Sequence, residues 1–305
     1  MVSDPFFVKN IIREFRHDLE NLYPENEIMQ ILYILFEEFA QWSKTTVHLS
    51  YNVKIEKYTF VRFSNALTSL RQGKPIQYIT GKAFFNGIKL KVTPDVLVPR
   101  PETEELCSLI QSENIQNQYR SPSILDIGTG SGCIAIDLKR KFPFATITGI
   151  DNSPQALEIA TENAVASGTE IHFALTDILI PEHCATLGLF DMIVSNPPYV
   201  LESEKRNMHR NVIDFEPSGA LFVPDSDPLK YYHAIGRFAV EHLLCPGNLY
   251  VEINEHYGTE VKKIFHMYGF QKMEVIKDFM GKERFVTAQA KFAITDTSYW
   301  YADKP

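Results

Sequence analysis

Apolar residues recur at three- and four-residue intervals near the start of the chain, as Ile28, Ile31, Leu32, Leu35, Phe39 and Trp42 and again as Tyr58, Val61, Leu67 and Leu70. That spacing keeps one face of a 3.6-residue helix apolar and predicts a small helical domain over residues 1–74. Gly73-Lys74-Pro75 breaks the period. Residues 76–98 are rich in β-branched and aromatic side chains around Asn86-Gly87, a dipeptide that tolerates the positive φ angles of a tight hairpin turn. A β-hairpin linker is therefore expected over residues 75–98.

Beyond Ser123 short β-rich runs alternate with helical ones. Strands are expected at 124–127, 146–150, 171–175, 191–195, 248–253, 272–277 and 284–292, and helices at 133–141, 154–167, 229–243 and 257–268. This alternation is the signature of a parallel sheet covered by helices on both faces, so residues 99–305 are expected to form an α/β, Rossmann-like, seven-stranded doubly wound domain. Residues 200–228 show no sustained period, and a connection of that length in a compact domain is usually functional or disordered.

Composition narrows the function classes. With 45% hydrophobic and 22% charged residues over 305 positions the chain reads as globular, and no stretch has the charge-free length of a membrane span. Asp4, Lys9, Arg13 and Glu14 interrupt the N-terminal apolar residues, unlike a secretory signal. Cys107, Cys133, Cys184 and Cys245 are far apart and form no close pair, which points to reduced thiols in a cytoplasm. The nine histidines make no metal-ligand spacing, so no metal is expected. A net charge of −8 argues against broad affinity for a phosphate backbone, and no direct nucleic-acid partner is expected.

Against that background two segments carry chemistry. In Leu125-Asp126-Ile127-Gly128-Thr129-Gly130-Ser131-Gly132, a strand runs through a glycine-rich turn into a helix. Glycines at alternate positions let the backbone turn sharply and approach a ligand, and the free amides of the helix start offer donors. The next strand leads to Asp151, about twenty residues on, where a carboxylate can accept both hydroxyls of a ribose. The glycines do not follow the G-x-G-x-x-G order of a dinucleotide site, so an adenosine without a pyrophosphate fits better. At the end of the third strand Asp177 is placed to accept an adenine amino group and Ile178 to pack on the base.

The fourth strand runs directly into Asn196-Pro197-Pro198-Tyr199. The prolines remove two N–H donors, so the backbone offers carbonyl oxygens, and the asparagine side chain adds another acceptor. Acceptors suit an incoming NH₂ group. A carboxamide nitrogen is a poor nucleophile because its lone pair is delocalised. Accepting one hydrogen at the Asn196 side-chain oxygen and the other at the Pro197 carbonyl would turn that lone pair towards a sulfonium methyl for in-line transfer. Tyr199 can stack on the planar acceptor, so the gain is orientation and exclusion of water. Because the sulfonium loses its charge in the reaction, a site without nearby cations is expected.

These segments resemble the HemK family of glutamine methyltransferases that modify peptide chain release factors. Pro75-Ile76-Gln77-Tyr78-Ile79-Thr80-Gly81 with Phe84-Phe85 is similar to that family's linker hairpin, and Val98-Pro99-Arg100-Pro101-Glu102-Thr103-Glu104 to the approach to its catalytic domain. Phe215-Glu216-Pro217 with Ala220-Leu221 is similar to its segment after the tetrad, which gives the long irregular stretch a role in shaping the substrate pocket. Residues 41–54 depart from the family pattern. The resemblance implies a class I methyltransferase domain using S-adenosyl-L-methionine and releasing S-adenosyl-L-homocysteine. It implies that Gly128, Thr129, Gly130, Ser131 and Gly132 form the cofactor loop, that Asp151 holds the ribose and Asp177 and Ile178 meet the adenine, with Asn196 bordering cofactor and acceptor alike. It further implies that Asn196, Pro197, Pro198 and Tyr199 grip the glutamine of a Gly-Gly-Gln tripeptide on class 1 release factors, with the helical N-terminal domain docking that partner.

Three alternatives stay open from the sequence. A related enzyme methylates a ribosomal-protein glutamine with the same tetrad. A nucleic-acid adenine N6-methyltransferase would need a base-reading domain or basic stripe, which the acidic balance disfavours. A cofactor-binding interaction module without activity is opposed by the intact tetrad. Oligomeric state is not legible.

Overall fold

The computed structural model describes residues 5–114 and 120–291. The first four residues of the expected helical domain and Phe292, the end of the expected seventh strand, lie outside them. The chain forms two compact units, Met1–Lys82 with His209–Phe215, and Ala83–Met208 with Glu216–Pro305.

The first unit is built on α1 (Val8–Leu19), α2 (Glu25–Ala40), α3 (Lys44–Leu49), α4 (Lys57–Arg71) and α5 (Ile76–Thr80). Their apolar faces close on Phe15, Leu32, Leu35, Phe36, Phe63 and Leu67, with the Phe36 and Phe63 rings 4.6 Å apart. Residues 41–54, which broke the helical pattern, do so for a local reason. Gln41 adopts a left-handed φ of 60° and ends α2, and the Ser43 hydroxyl then accepts from Thr46 N to start α3.

The second unit opens with a hairpin, β1 (Lys82–Phe85) and β2 (Ile88–Lys91), turning at Asn86 (φ 45°) and Gly87 (φ 73°). Asn163 clamps it, since Oδ1 accepts from Lys91 N at 2.7 Å while Nδ2 donates to the carbonyls of Lys91 and Ser131, both at 2.9 Å. The chain continues through α6 (Pro101–Glu113), β3 (Ser123–Ile127), α7 (Cys133–Lys141), β4 (Thr146–Asp151), α8 (Pro154–Ala166), β5 (His172–Leu175), α9 (Pro181–Cys184) and β6 (Phe190–Ser195). After β6 come β7 (Val200–Leu201), a 3-10 helix (Glu202–Asn207), α10 (Arg210–Ile213), which belongs to the first unit, α11 (Ser218–Leu221) and β8 (Phe222–Val223). The unit ends with α12 (Lys230–His242), β9 (Leu243–Glu252), α13 (Gly258–Met267), β10 (Gln271–Lys277) and β11 (Glu283–Gln289).

Seven strands form one sheet in the order β10-β11-β9-β6-β3-β4-β5. Inner strands are buried on both faces and alternate between two cores. In β6, Phe190 and Ile193 pack with α12 and α13, whereas Met192 and Val194 pack with α6 and α7. The chain leaves β3 towards β4 and β5 and returns to β6 on its other side. Such a reversal opens a crevice at the carboxyl ends of β3 and β6, where open α/β sheets bind ligands.

Several elements differ from the sequence expectation. Residues 76–80 are helical, because Ile76 and Ile79 lie one turn apart against the first unit's core and Gly81, at φ 72°, closes the helix. The sheet is mixed, since the short Asp278–Lys282 turn reverses the chain and pairs β11 antiparallel to both β10 and β9. Residues 200–228 carry structure in pieces too short to show a period, including a parallel pair that joins Val200 to Phe222 and Leu201 to Val223. Helix α6 was not anticipated, although Pro101 at its first position and Glu102 and Glu104 in its first turn are start signals. All four cysteines are free thiols, and among the described residues no helix is long and apolar enough to cross a membrane.

Candidate active site

At the carboxyl end of β3 the chain must turn at once into α7, and it does so with Gly128, Gly130 and Gly132 at φ 72°, 54° and 81°. Gly128 N and Thr129 N donate to Ile150 O at 2.8 and 2.9 Å, tying the turn to β4. At Gly132 a Cβ would lie 3.3 Å from Ala160 of α8, so loop and helix pack closely only without a side chain. Behind the turn the buried Asp126 accepts from Thr129 Oγ1 at 2.7 Å and Ala135 N at 3.2 Å, and burial pushes its carboxyl up to about 7.

Asp151 ends β4. Its Oδ2 accepts from Gly130 N and its Oδ1 from Ser153 N, both at 2.9 Å, which fixes the carboxylate against the glycine turn. Burial raises its pKa, these amides oppose the rise, and Asp177 adds to it. Asp177 follows β5, accepts from Leu179 N at 2.9 Å and is followed by the buried Ile178. At the end of β6 Ser195 Oγ donates to Ile127 O at 2.8 Å, locking the two central strands together where the tetrad begins.

These strand ends surround a cavity of about 230 Å³ lined by Gly128 to Ser131, Asp151, Asp177, Ile178 and Asn196 to Pro198. Pro217, Gly219 and Ala220, from the long segment after the tetrad, contribute to its wall. Contrary to the expectation of a cation-free site, Arg100 also lines it. Its charge is committed to Glu216 at 2.6 Å, a carboxylate that is 2% exposed, so the guanidinium is neutralised where it stands.

Tyr199 stands apart from the residues lining the cavity. Its hydroxyl donates to Glu252 Oε1 at 2.9 Å and its ring packs against the core of the α12 face. Burial, reinforced by Glu252, holds its phenol well above the usual range, so it remains a neutral donor. Asn196 Nδ2 donates to Thr103 Oγ1 at 3.0 Å, which leaves the amide oxygen uncommitted within the tetrad.

The chain is 40% identical over 280 residues to the release factor glutamine methyltransferase of Flavobacterium psychrophilum, covering 92% of this chain and 98% of that relative. It belongs to the release factor glutamine methyltransferase family. The enzyme of that name from Bacteroides thetaiotaomicron is 37% identical over 281 residues, covering 92% of this chain and 99% of the relative. Residues 106–237 match the methyltransferase small domain and residues 10–81 the PrmC N-terminal domain. A methyltransferase from Pyrococcus furiosus, 17% identical, shares the class I methyltransferase fold at a TM-score of 0.51, covering 75% of this chain and all (100%) of that one.

In this member of the release factor glutamine methyltransferase family, ten of the twelve residues singled out from sequence line the cavity at four neighbouring strand ends, with Gly132 packed beneath the turn and Tyr199 behind the lining. Thr103, Glu252 and Asn254 were not singled out. Asn254 Nδ2 donates to Tyr199 O at 3.3 Å and Glu204 Oε2 at 3.2 Å, tying tetrad and following segment together. A signal for Glu252 did exist: it ends β9, which pairs with β6 through Val251 and Ser195, and residues ending adjacent parallel strands converge at one edge.

Proposed function

We propose that the protein transfers a methyl group from S-adenosyl-L-methionine to the side-chain amide nitrogen of the glutamine in the Gly-Gly-Gln motif of class 1 peptide chain release factors. The observation that carries this reading is that Asn196, its Nδ2 committed to Thr103, and Pro197, which has no N–H to give, line a cavity whose other walls include a glycine turn and strand-end carboxylates. Family membership supports the choice of glutamine as acceptor and of release factors as partner.

The lining fits the cofactor. Asp95, Asp151 and Asp177 line the cavity, while its cation, Arg100, is already paired, a balance that suits a positively charged adenosyl ligand. When bound, S-adenosyl-L-methionine supplies a methyl group activated on a sulfonium and leaves as S-adenosyl-L-homocysteine. Gly128 to Gly132 present the turn, Asp151 accepts from the ribose, and Asp177 with Ile178 meets the adenine. Asn196 Oδ1 and the Pro197 carbonyl accept the two hydrogens of the glutamine amide and orient its nitrogen. Pro198 supplies apolar wall, and Tyr199, bonded to Glu252 behind the lining, holds the end of the tetrad in place. The gain is positional, since a well-oriented pair replaces a chance encounter at effective molarities of roughly 10⁵ M or more.

The test is label transfer from S-adenosyl-L-methionine to release factors, ribosomal proteins and DNA side by side. Label is expected in class 1 release factors. Equal labelling of a release factor whose Gly-Gly-Gln glutamine has been replaced would overturn the substrate, and label in DNA or a ribosomal protein instead would favour the corresponding alternative.

A further inference from the structure

One buried carboxylate reaches both ends of the tetrad. Glu252 Oε1 accepts from the Tyr199 hydroxyl at 2.9 Å, and Oε2 accepts from the Thr103 hydroxyl at 2.7 Å. Thr103 Oγ1 in turn lies 3.0 Å from Asn196 Nδ2. Thr103 and Glu252 are 2% and 1% exposed, so water does not compete for these bonds.

The chain of bonds has a direction. A threonine hydroxyl has one proton, and an ionised carboxylate can only accept. With its proton given to Glu252, Thr103 Oγ1 can only accept, and the group it accepts from must be the NH₂ end of the Asn196 amide. The two ends of an asparagine amide are nearly isosteric, so shape alone does not choose between them. Were the amide turned over, its oxygen would face an oxygen with no proton to give, a loss of one buried hydrogen bond that biases the orientation by about tenfold to a hundredfold. We propose that Glu252, acting through the Thr103 hydroxyl, is a positioning residue that fixes the Asn196 amide with its oxygen towards the acceptor site, so that the site selects an NH₂ donor. This rests on the reading of Asn196 as the group that accepts from the glutamine amide.

The groups facing Glu252 let the polarity respond to pH. Burial pushes its carboxyl up to about 7, against the opposing hydrogen bonds of Thr103 and Tyr199 and the charge of Arg284 on β11, with Glu102 adding to the rise. From α12 the Tyr232 hydroxyl bonds the Glu252 carbonyl at 3.1 Å and leaves the carboxylate to the other groups. Once protonated, Glu252 can donate to Thr103. The threonine proton is then free to point at Asn196, and the amide turns its NH₂ to the cavity. Turnover therefore falls as pH drops through about 7.

The experiment measures kcat against pH for glutamine methylation by the wild type, Thr103→Val and Thr103→Ser, with cofactor affinity measured alongside. Without the bias the two amide orientations are about equally populated, so Thr103→Val is expected to lower kcat above the limb about twofold, leave cofactor affinity within twofold (about 0.4 kcal/mol) and lose the acid limb near 7, while Thr103→Ser restores both rate and limb. Should Thr103→Val not fold, Glu252→Gln is expected to show a profile without that limb. An active wild type whose rate and limb persist in Thr103→Val, or whose limb persists in Glu252→Gln, overturns the inference alone. A wild type that methylates no glutamine overturns the proposed function and this inference with it.

Discussion

The same carboxylate that orients the tetrad leaves a thermodynamic mark on folding. Glu252 titrates near 7 in the native protein against an ordinary 4.5 for the exposed side chain, with burial as the largest cause. Between these values the unfolded chain has released the proton and the native protein still holds it. The native state then binds more protons, so stability is highest on the acid side of this window and falls as pH rises through it. Crossing about two and a half pH units at about 1.36 kcal/mol each removes about 3 kcal/mol, a sizeable share of a typical domain's total of about 5–15 kcal/mol. Glu252→Gln keeps the shape and never ionises. Its lost charge-assisted hydrogen bond shifts stability by a constant, and the change of that offset with pH isolates the carboxyl. Urea unfolding of both proteins between about pH 4 and about pH 8 should show the wild type losing about 3 kcal/mol relative to the variant across the window. Asp126 carries a rise of the same sign, also to about 7, but is present in both proteins and cancels. Stability curves that stay parallel from acid to alkaline pH would refute the assignment of a proton to buried Glu252.

Three further outcomes follow from the same packing. Gly132→Ala combines a left-handed φ of 81° with a Cβ 3.3 Å from Ala160 and Ile136; a loss of about 2–4 kcal/mol is expected in thermal or urea unfolding. Arg100→Ala strands the Glu216 carboxylate, whose side chain is 2% exposed, and should cost about 2–4 kcal/mol, of which adding Glu216→Gln recovers at least half. Asp151→Asn replaces a carboxylate that accepts from Gly130 N and Ser153 N with a group that can accept at one position only; calorimetry should show S-adenosyl-L-methionine binding weakened about tenfold or more.

How much of this was legible in the sequence depended on the length over which each signal repeats. The strands and helices from β3 to α8 announce themselves through period and through the punctuation of Gly128 to Gly132, whereas the cap that starts α8, Ser153 Oγ accepting from Ala156 N, is seen in the folded chain. The pieces between Val200 and Val223 are two to six residues long, shorter than any period can reveal. Helix α5 was hidden because Ile76, Ile79 and Thr80 are β-branched and favour a strand in isolation, while packing of two of them against the helical core decides otherwise. At the site, the glycine turn and the tetrad are contiguous in sequence and could be read directly. Thr103 and Glu252 are 149 positions apart and meet only because α6 begins beside the end of β9. Only the folded chain makes that pairing visible, and with it the polarity of the Asn196 amide. Arg100 and Glu216, 116 positions apart, were likewise seen as separate segments and not as an ion pair on the cavity wall.

Peptide mapping of a class 1 release factor after incubation with S-adenosyl-L-methionine, using wild-type protein and Asn196→Ala in parallel, shows which nitrogen receives the methyl group and whether Asn196 is needed. One added methyl group on the Gly-Gly-Gln glutamine is expected with the wild type, and none with Asn196→Ala, although the variant still binds the cofactor. A methyl group on any other residue, or an unchanged yield from Asn196→Ala, would contradict the role given to the acceptor edge at the end of β6.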